Sequence, residues 1–565
     1  MNARRFSVFS RLLVAALALA PGAARGDPTA AQANAAVQRS TDSEANPLKP
    51  RALPGPVDAV VVNRPAAPPV EPPPPGFRVS RVIFEGNTVL ARWELDRLRR
   101  IVEGRTVGVA DFTLLTKSVE KLYRKKGYFL ARAAVPPQEV QGGDVKVVIS
   151  EGKYGQVSVQ GNEHYSSDFI LKYLRAATAG GLVRERPLLE ALVQLNQLPD
   201  LAVQSVFTPG QVAGTTDVIL RAHDVKPLHL AFDYNNLGSR LVGRNRAGLT
   251  LTAGRAFVEG DDLVLRVAVP FPSNSDPFYQ ASYTAPVGPG TDRAGVLFSS
   301  AQTRVRGSGL DPLDIRGSAD IAGFTWQRPL VSLQDEQSSL SASYQDMNLR
   351  NFVLNDRVTS HDKVRMVTAG YTLSQRSGTQ QVLASALLSQ GLGTAFGGSS
   401  DAQALPSRVG AGNAFTKLNF DGTQIRQLTA REFLVLRGSA QVATEPLVVA
   451  EQFAIGGLDS VRGFTASEGL GDDGYSLSAE YRRQLAQHKQ DTLQAAAFLE
   501  NGLVRLKRPQ AGEAGTRSLT GAGVGLRAFA GNDASVRLDL GVPLHPSTNV
   551  DGERLLLYAQ ASYRY

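Results

Sequence analysis

Leu555-Leu556-Leu557-Tyr558-Ala559-Gln560-Ala561-Ser562-Tyr563-Arg564-Tyr565 ends the chain. Read with a period of two, Leu555, Leu557, Ala559, Ala561, Tyr563 and Tyr565 share one face. Leu556, Tyr558, Gln560, Ser562 and Arg564 share the other. Strand side chains alternate between faces, so this spacing predicts a strand with one apolar side. The pattern recurs upstream. Val536, Leu538, Leu540 and Val542 oppose Ser535, Arg537, Asp539 and Gly541. Tyr475, Leu477, Ala479 and Tyr481 oppose Ser476, Ser478, Glu480 and Arg482, and Leu263, Leu265, Val267 and Val269 oppose Val264, Arg266 and Ala268. From about Pro227 onward helical periodicity fades, and turns rich in Gly, Asn, Asp and Ser separate such segments.

Strands with one apolar and one charged face suit either a soluble β-sandwich or a membrane barrel with a wet lumen. Three features favour the barrel. The β-rich region, residues 227–565, is long for one sandwich domain. The chain carries an export signal but no apolar stretch of the ~20 residues that a spanning helix needs. Its last residue, Tyr565, is aromatic and on the apolar face, as the girdles of such barrels require. At about 20 residues per strand and connection, the region holds about 16 antiparallel strands.

The export signal is read from the start of the chain. Arg4, Arg5 and Arg11 precede an apolar run from Leu12 to Ala20, and small residues follow through Ala24. That order describes a secretory signal over residues 1–26, with exits at Ala23-Ala24 or Ala31-Gln32-Ala33 both fitting. Residues 27–76 end in Glu71-Pro72-Pro73-Pro74-Pro75-Gly76 and read as an extended linker. Ala30–Gln38 could form a helix too short to stand alone in water, so a partner surface or a pore would have to hold it.

Between linker and barrel a unit repeats. Residues 77–152 read as a strand over Phe77–Phe84, a Glu85-Gly86-Asn87 turn, helices over Trp93–Ile101 and Thr113–Arg124, and strands over Ala131–Val135 and Val145–Ser150. Residues 153–226 repeat the order. A strand leads into Gly161-Asn162, helices follow over Ser167–Ala176 and Pro187–Gln197, and strands run over Val203–Thr208 and Thr216–Ala222. Two copies make a short array rather than a solenoid.

Composition removes several functions. The 565 residues contain no Cys, which excludes disulfides, Cys-ligated metal and thiol catalysis. The net charge of +9 arises from 61 basic and 52 acidic residues interleaved along the chain, not from a basic block, so nucleic acid is not expected as a partner. Gly-x-Ser-x-Gly, His-Glu-x-x-His and Walker A sequences are absent, and the six His are scattered. His361-Asp362 reads as part of a loop, and Asp261-Asp262 and Asp472-Asp473 read as turn residues. Gly391-Leu392-Gly393 and Gly521-Ala522-Gly523-Val524-Gly525 sit among strands, not before helices, so neither reads as a nucleotide loop. Neither an enzyme nor a cofactor is expected.

Specific motifs then carry a resemblance over about Phe77 to Tyr565. Tyr123…Gly127-Tyr128, Pro136…Gln138 and Gly143-Asp144…Glu151-Gly152 lie in the first unit, and Leu195-Asn196…Leu198-Pro199…Pro209-Gly210 in the second. Tyr234-Asn235-Asn236…Gly238 and Gly260-Asp261-Asp262-Leu263 open the barrel. Gly456-Gly457-Leu458-Asp459-Ser460-Val461-Arg462-Gly463-Phe464 and Phe498-Leu499-Glu500-Asn501-Gly502 lie near its end. Together these resemble an outer-membrane two-partner secretion transporter (TpsB-type), a branch of the Omp85 superfamily, with two POTRA domains before the barrel. The resemblance implies that the loop bearing Val461, Arg462, Gly463 and Phe464 folds back into the lumen. There its arginine would meet the acid of the Phe-x-Asp-x-Gly motif, here Phe498, Glu500 and Gly502, with glutamate for the usual aspartate. The residues agree. Phe498, Glu500 and Gly502 share parity, so Leu493, Ala495, Ala497 and Leu499 face lipid and Glu500 faces the lumen, where arginine offers a bidentate partner. Tyr565 would act as a C-terminal barrel signal. The implied partners are a large secreted TpsA-type exoprotein, outer-membrane lipid and the barrel assembly machinery that inserts the chain, which would act as a monomer. The implied location is the bacterial outer membrane with the POTRA domains in the periplasm. An Omp85-type assembly factor that inserts other barrels is the alternative; such proteins often carry more POTRA units and lack the Pro-rich linker. A passive porin leaves the repeated units unexplained.

Overall fold

The computed structural model describes Val60–Val61 and residues 77–565, apart from 141, 226, 239–242, 272–275, 289, 306–309, 355 and 546–553. The expected signal, the short helix expected over Ala30–Gln38 and the expected linker, except Val60–Val61, lie outside the described residues.

In the first unit, Arg81–Glu85 and Asp144–Ser150 pair in parallel, and Arg132–Ala134 pairs antiparallel on the far side of Asp144–Ser150. The helix Val109–Lys125 buries Phe112, Leu115, Val119 and Tyr123. That spacing places all four on one stripe, against Val82, Val145 and Val147 of the sheet. One sequence expectation is corrected here. Phe77–Phe84 is not a single strand, because Phe77–Arg78 pairs with Thr106–Val107 in a separate two-stranded sheet. The chain then bends, and the amides of Ser80 and Arg81 donate to the Gly143 carbonyl.

The second unit has the same order. Its sheet runs Val60–Val61, Leu201–Pro209, Thr215–Asp224, Lys153–Gln160. Val60–Val61, expected as linker, lies parallel to Ser205–Val206. Helices Ser167–Thr178 and Glu185–Leu195 bury Ile170, Leu174, Leu188 and Leu192 against the sheet.

A carboxylate staples each unit at the equivalent place. In the first, Glu151 accepts from the Thr88 amide at 2.5 Å, the Val89 amide at 3.1 Å and the Tyr123 hydroxyl at 2.6 Å. In the second, Asp224 accepts from the amides of Glu163, His164 and Tyr165 at 2.9, 2.7 and 2.8 Å. The Gly-Asn turn beneath each staple needs glycine. Gly86 and Gly161 have φ of +86° and +83°, and a Cβ there would sit 2.2 Å from the Ile149 oxygen and 2.6 Å from the Ala222 oxygen.

The barrel closes with sixteen antiparallel strands, from Leu228–Asn235 to Leu556–Arg564. Leu265, Val267, Leu477, Leu499 and Leu540 are exposed on its outer surface, while Glu480, Glu500, Arg527 and Asp539 are buried on its inner one. This is the alternation of a lipid-facing wall around a polar lumen. Tight turns such as 378–379, 430–431 and 489–490 lie at the end that carries the second unit, and the long connections 392–415 and 444–472 at the other. His361-Asp362, expected on a loop, lies within the strand Arg357–Ser377. Asp362 is fully buried and accepts from the Gln403 side chain and the Ser407 amide, tying the 392–415 connection to the wall.

Candidate functional site

The connection 444–472 does not stay outside. Phe453–Ile455 and Gly469–Gly471 form a small antiparallel hairpin, and the segment between them lies against the inner wall. The hairpin turns on Gly456 and Gly457, whose φ of +103° and +93° exclude ordinary side chains. Val461 and Phe464 are buried with Ile455, Val504 and Leu519, so the tip is held by apolar packing as well as charge.

Arg462, between them, has no exposed surface. Its amide donates to Glu500 Oε2 at 2.7 Å, its Nε to Glu500 Oε1 at 3.0 Å and its Nη2 to the same oxygen at 2.5 Å. Nη1 lies 2.8 Å from Glu480 Oε2 and 3.1 Å from Asp539 Oδ2. The guanidinium also stacks on the Phe498 ring, 3.3 Å from its centroid. The wall contributes cations too. Arg482 and Arg527 pair with Glu480, and Arg527 and Arg537 with Asp539. Four guanidiniums thus interlock with three carboxylates. Such a buried network survives only when nearly every charge has a partner, because an orphaned one loses its hydration without recompense.

The loop approaches this closely because the wall beneath it is glycine. A Cβ at Gly521 would lie 1.9 Å from the Arg462 oxygen, one at Gly541 2.5 Å from the Gly463 nitrogen, and one at Gly502 2.9 Å from Ile455. Gly463 itself has φ +102°, and a Cβ there would meet the backbone of Val542 at 2.6 Å. Tyr558 completes the seat. Its hydroxyl accepts from the Gly463 amide at 2.9 Å and donates to the Phe464 oxygen at 2.6 Å.

Val461, Arg462, Gly463, Phe464, Phe498, Glu500 and Gly502 therefore occupy one locus. Tyr565 does not. It lies 83% exposed at the far end of the last strand, where its amide donates to the Leu230 oxygen at 2.8 Å. Sequence reasoning missed Glu480, Arg527, Asp539, Tyr558, Gly521 and Gly541. For Glu480, Asp539 and Tyr558 the signal was parity, which already set them opposite the apolar residues of their strands. Asp472, expected as a turn residue, is fully buried, 2.6 Å from Arg408 Nη1, and accepts from the amides of Leu447 and Lys507. Among the described residues no group of three or more His, Asp and Glu is placed to hold a metal ion.

The second unit meets the barrel at its tight-turn end. Glu259 accepts from the Ser166 amide at 2.5 Å and the Ser166 hydroxyl at 3.0 Å, so a barrel turn holds the residue whose own side chain caps the helix Ser167–Thr178 by accepting from the Phe169 amide. Lys172 Nζ donates to the Gly288 oxygen at 2.8 Å, and Arg255 lies over the Tyr165 ring. Burial alone would raise the Asp224 carboxyl, but its three amide donors outweigh that and hold it below the usual carboxylate range.

Comparison with known proteins places these features. Residues 214–528 match the profile of the haemolysin secretion/activation protein family ShlB/FhaC/HecB, and residues 77–152 match the ShlB-type POTRA domain. The chain is 22% identical over 481 residues to the heme/hemopexin transporter protein HuxB of Haemophilus influenzae, covering 83% of this chain and 84% of that one. It is 25% identical over 488 residues to the outer membrane transporter CdiB of an Escherichia coli strain, covering 83% and 79%. The solved structure of CdiB from Escherichia coli superposes with a TM-score of 0.70 at 20% identity, covering 94% of this chain and 95% of that one.

Proposed function

Because the chain belongs to the haemolysin secretion/activation family of outer-membrane transporters, we propose that it captures an unfolded exoprotein in the periplasm through its POTRA domains and passes it through the barrel to the cell surface. The observation that carries this reading is the seated loop. A loop seated on a buried ion network occupies part of the lumen, yet it is joined to the wall by contacts that can be remade.

Capture would use β-augmentation, in which an extended segment pairs with an exposed sheet edge. Arg132–Ala134 and Lys153–Gln160 each stand at the edge of their sheet; the Ala133 amide is bonded to Glu120 and Lys153–Tyr154 to Gly181–Leu182, so the stretch of the second edge beyond Tyr154 best supports this route. The opposite edge of the second sheet already carries Val60–Val61. Folding of the exoprotein outside supplies a bias without nucleotide, because whatever binds or forms only the folded state pulls the equilibrium forward.

The test is Arg462→Ala in cells that also express a candidate exoprotein. The variant is expected to reach the outer membrane and to lose most secretion. Full secretion would refute the role given to the loop. Deleting Gly152–Asp224 is expected to abolish binding of exoprotein peptides, and unchanged binding would refute capture by the second POTRA domain.

A further inference from the structure

The barrel is closed by its first and last strands, and this seam is its shortest ladder among the described residues. It pairs Ala231–Asn235 with Arg564–Gln560, five positions, extended at the lower end by mutual backbone bonds between Leu230 and Tyr565, whereas the next shortest, Asp262–Ala268 with Phe278–Thr284, pairs seven. Above the five pairs the last strand continues as Leu556–Ala559 without a ladder partner in the first strand. One residue of the first strand's continuation reaches it. The Asn236 amide donates to the Ala559 oxygen at 3.1 Å, Asn236 Nδ2 to the Leu557 oxygen at 2.9 Å, and the Ala559 amide to Asn236 Oδ1 at 2.7 Å.

The same stretch of the last strand holds the lumenal loop. Tyr558 carries both hydroxyl bonds to Gly463 and Phe464. Leu458, from the loop's opposite side, is buried with Leu556 and Tyr558, and Leu237 from just beyond the first strand packs against that cluster. The loop therefore touches both sides of the seam at the point where the ladder has ended.

We propose that Tyr558 is a positioning residue through which the seated loop braces the barrel seam. With the loop in place, Leu458 fills the gap between Leu237 and Leu556, and Tyr558 fixes the upper last strand to the loop's backbone. When the loop withdraws, Tyr558 loses both hydrogen bonds and the cluster loses its central side chain. Among the described residues the upper seam is then held by Asn236 and by Leu237 against Leu556 and Tyr558. Vacating the lumen and loosening the wall become one event, so a barrel that opens its channel also gains freedom to widen at one defined line.

This deepens the role given to the loop above, and it is tested without cargo. Backbone amide exchange is followed in the full chain in lipid nanodiscs for the parent, Tyr558→Phe and Leu458→Ala. Tyr558→Phe keeps the ring and removes only the hydroxyl, leaving the Gly463 amide without its partner. Exchange across Ala231–Asn235 and Leu557–Tyr563 is expected to rise about tenfold. Exchange across the seven-pair ladder of Asp262–Ala268 is expected to stay as in the parent. Leu458→Ala, which alters the loop and not the wall, is expected to give the same seam-confined pattern, and it carries the test if Tyr558→Phe fails to insert. Seam exchange equal to the parent's in both variants overturns the brace, and so does a rise shared equally by the seven-pair ladder. If secretion by Arg462→Ala is lost while its seam exchange stays at the parent's level, the brace falls and the export reading stands. If its seam loosens while secretion is untouched, the export role of the loop falls and the brace stands.

Discussion

A single methyl group at Gly521 should unseat the loop without touching any charge. An alanine Cβ at this position would lie 1.9 Å from the Arg462 oxygen, where ordinary contact begins at 3.4 Å. The wall cannot yield, because Gly521 is laddered on one side to Glu500 and on the other to Pro543. The loop must therefore retreat by about 1.5 Å. Its bonds to Glu500, now 2.5 to 3.0 Å, would then open to roughly 4 Å or more, beyond hydrogen-bond reach. Breaking a buried pair costs about 3–5 kcal/mol, and 1.4 kcal/mol is a factor of ten. The seated fraction should thus fall by roughly a hundredfold or more relative to the unseated one. The assay is single-channel conductance of the purified chain in planar bilayers, with Gly438→Ala as the control. A Cβ at Gly438 meets only the end of the Leu477 side chain, at 3.3 Å. Gly521→Ala should show long-lived high-conductance states that the control lacks. If the two variants conduct alike and Gly521→Ala secretes normally, the loop is not held by close backbone approach and the reasoning fails.

Other substitutions probe the remaining parts. Glu500→Gln keeps the side-chain length and removes one of three carboxylates around Arg462, so secretion should fall by less than in Arg462→Ala; an equal loss would make Glu500 the sole effective counter-ion. Because the Asp224 carboxyl is held low, the stability it contributes is fully present above the unfolded value of about 4 and is lost as pH falls through the folded one. Protease sensitivity near Glu163–Tyr165 should rise only below about pH 4 in the parent, and at neutral pH in Asp224→Asn by about 1–3 kcal/mol of local stability. Arg408→Ala leaves Asp472 buried without its cation and should expose the 392–415 connection to protease added to intact cells; unchanged resistance would show that its bonds to Asp362, Lys363 and Arg365 suffice to hold it. Glu259→Ala removes the barrel's two bonds to Ser166, the N-cap residue of the helix Ser167–Thr178, each worth about 1 kcal/mol. Spin labels on the second POTRA domain and the barrel should report a broader distance distribution.

Much of this was legible in the alternation of side chains. Period two located the barrel, and parity alone put Glu500 in the lumen, since a carboxylate in the lipid band is strongly unfavourable. What parity cannot supply is register between strands far apart in sequence. Glu480, Glu500 and Asp539 converge because Ser478 stands opposite Glu500 and Gly521 links Glu500 to Pro543, and nothing local encodes those offsets. The glycines at 521 and 541 read as weak strand residues for the same reason, as their purpose is a backbone that arrives from sixty to eighty residues away. His361-Asp362 was misplaced because two polar neighbours look like a turn, whereas a barrel strand turns one of them inward. Phe77–Phe84 was read as one strand because its break depends on two non-local partners, Thr106–Val107 and Gly143.

The unequal count of charges at the loop's seat has an electrical consequence. Remove the loop, and the three wall arginines that pair directly there, Arg482, Arg527 and Arg537, are matched by the three carboxylates Glu480, Glu500 and Asp539. What departs with residues 456–468 is Arg462 together with Asp459 and Glu468, a net single negative charge, inside the field of the membrane. Carrying a unit charge across the whole field is worth about 2.3 kcal/mol per 100 mV, and across part of it proportionally less. Loop seating is thus a voltage-dependent equilibrium with a gating charge below one. The polarity that drives anions from the lumen toward the loop's exit should open the channel, and its reversal should press the loop home.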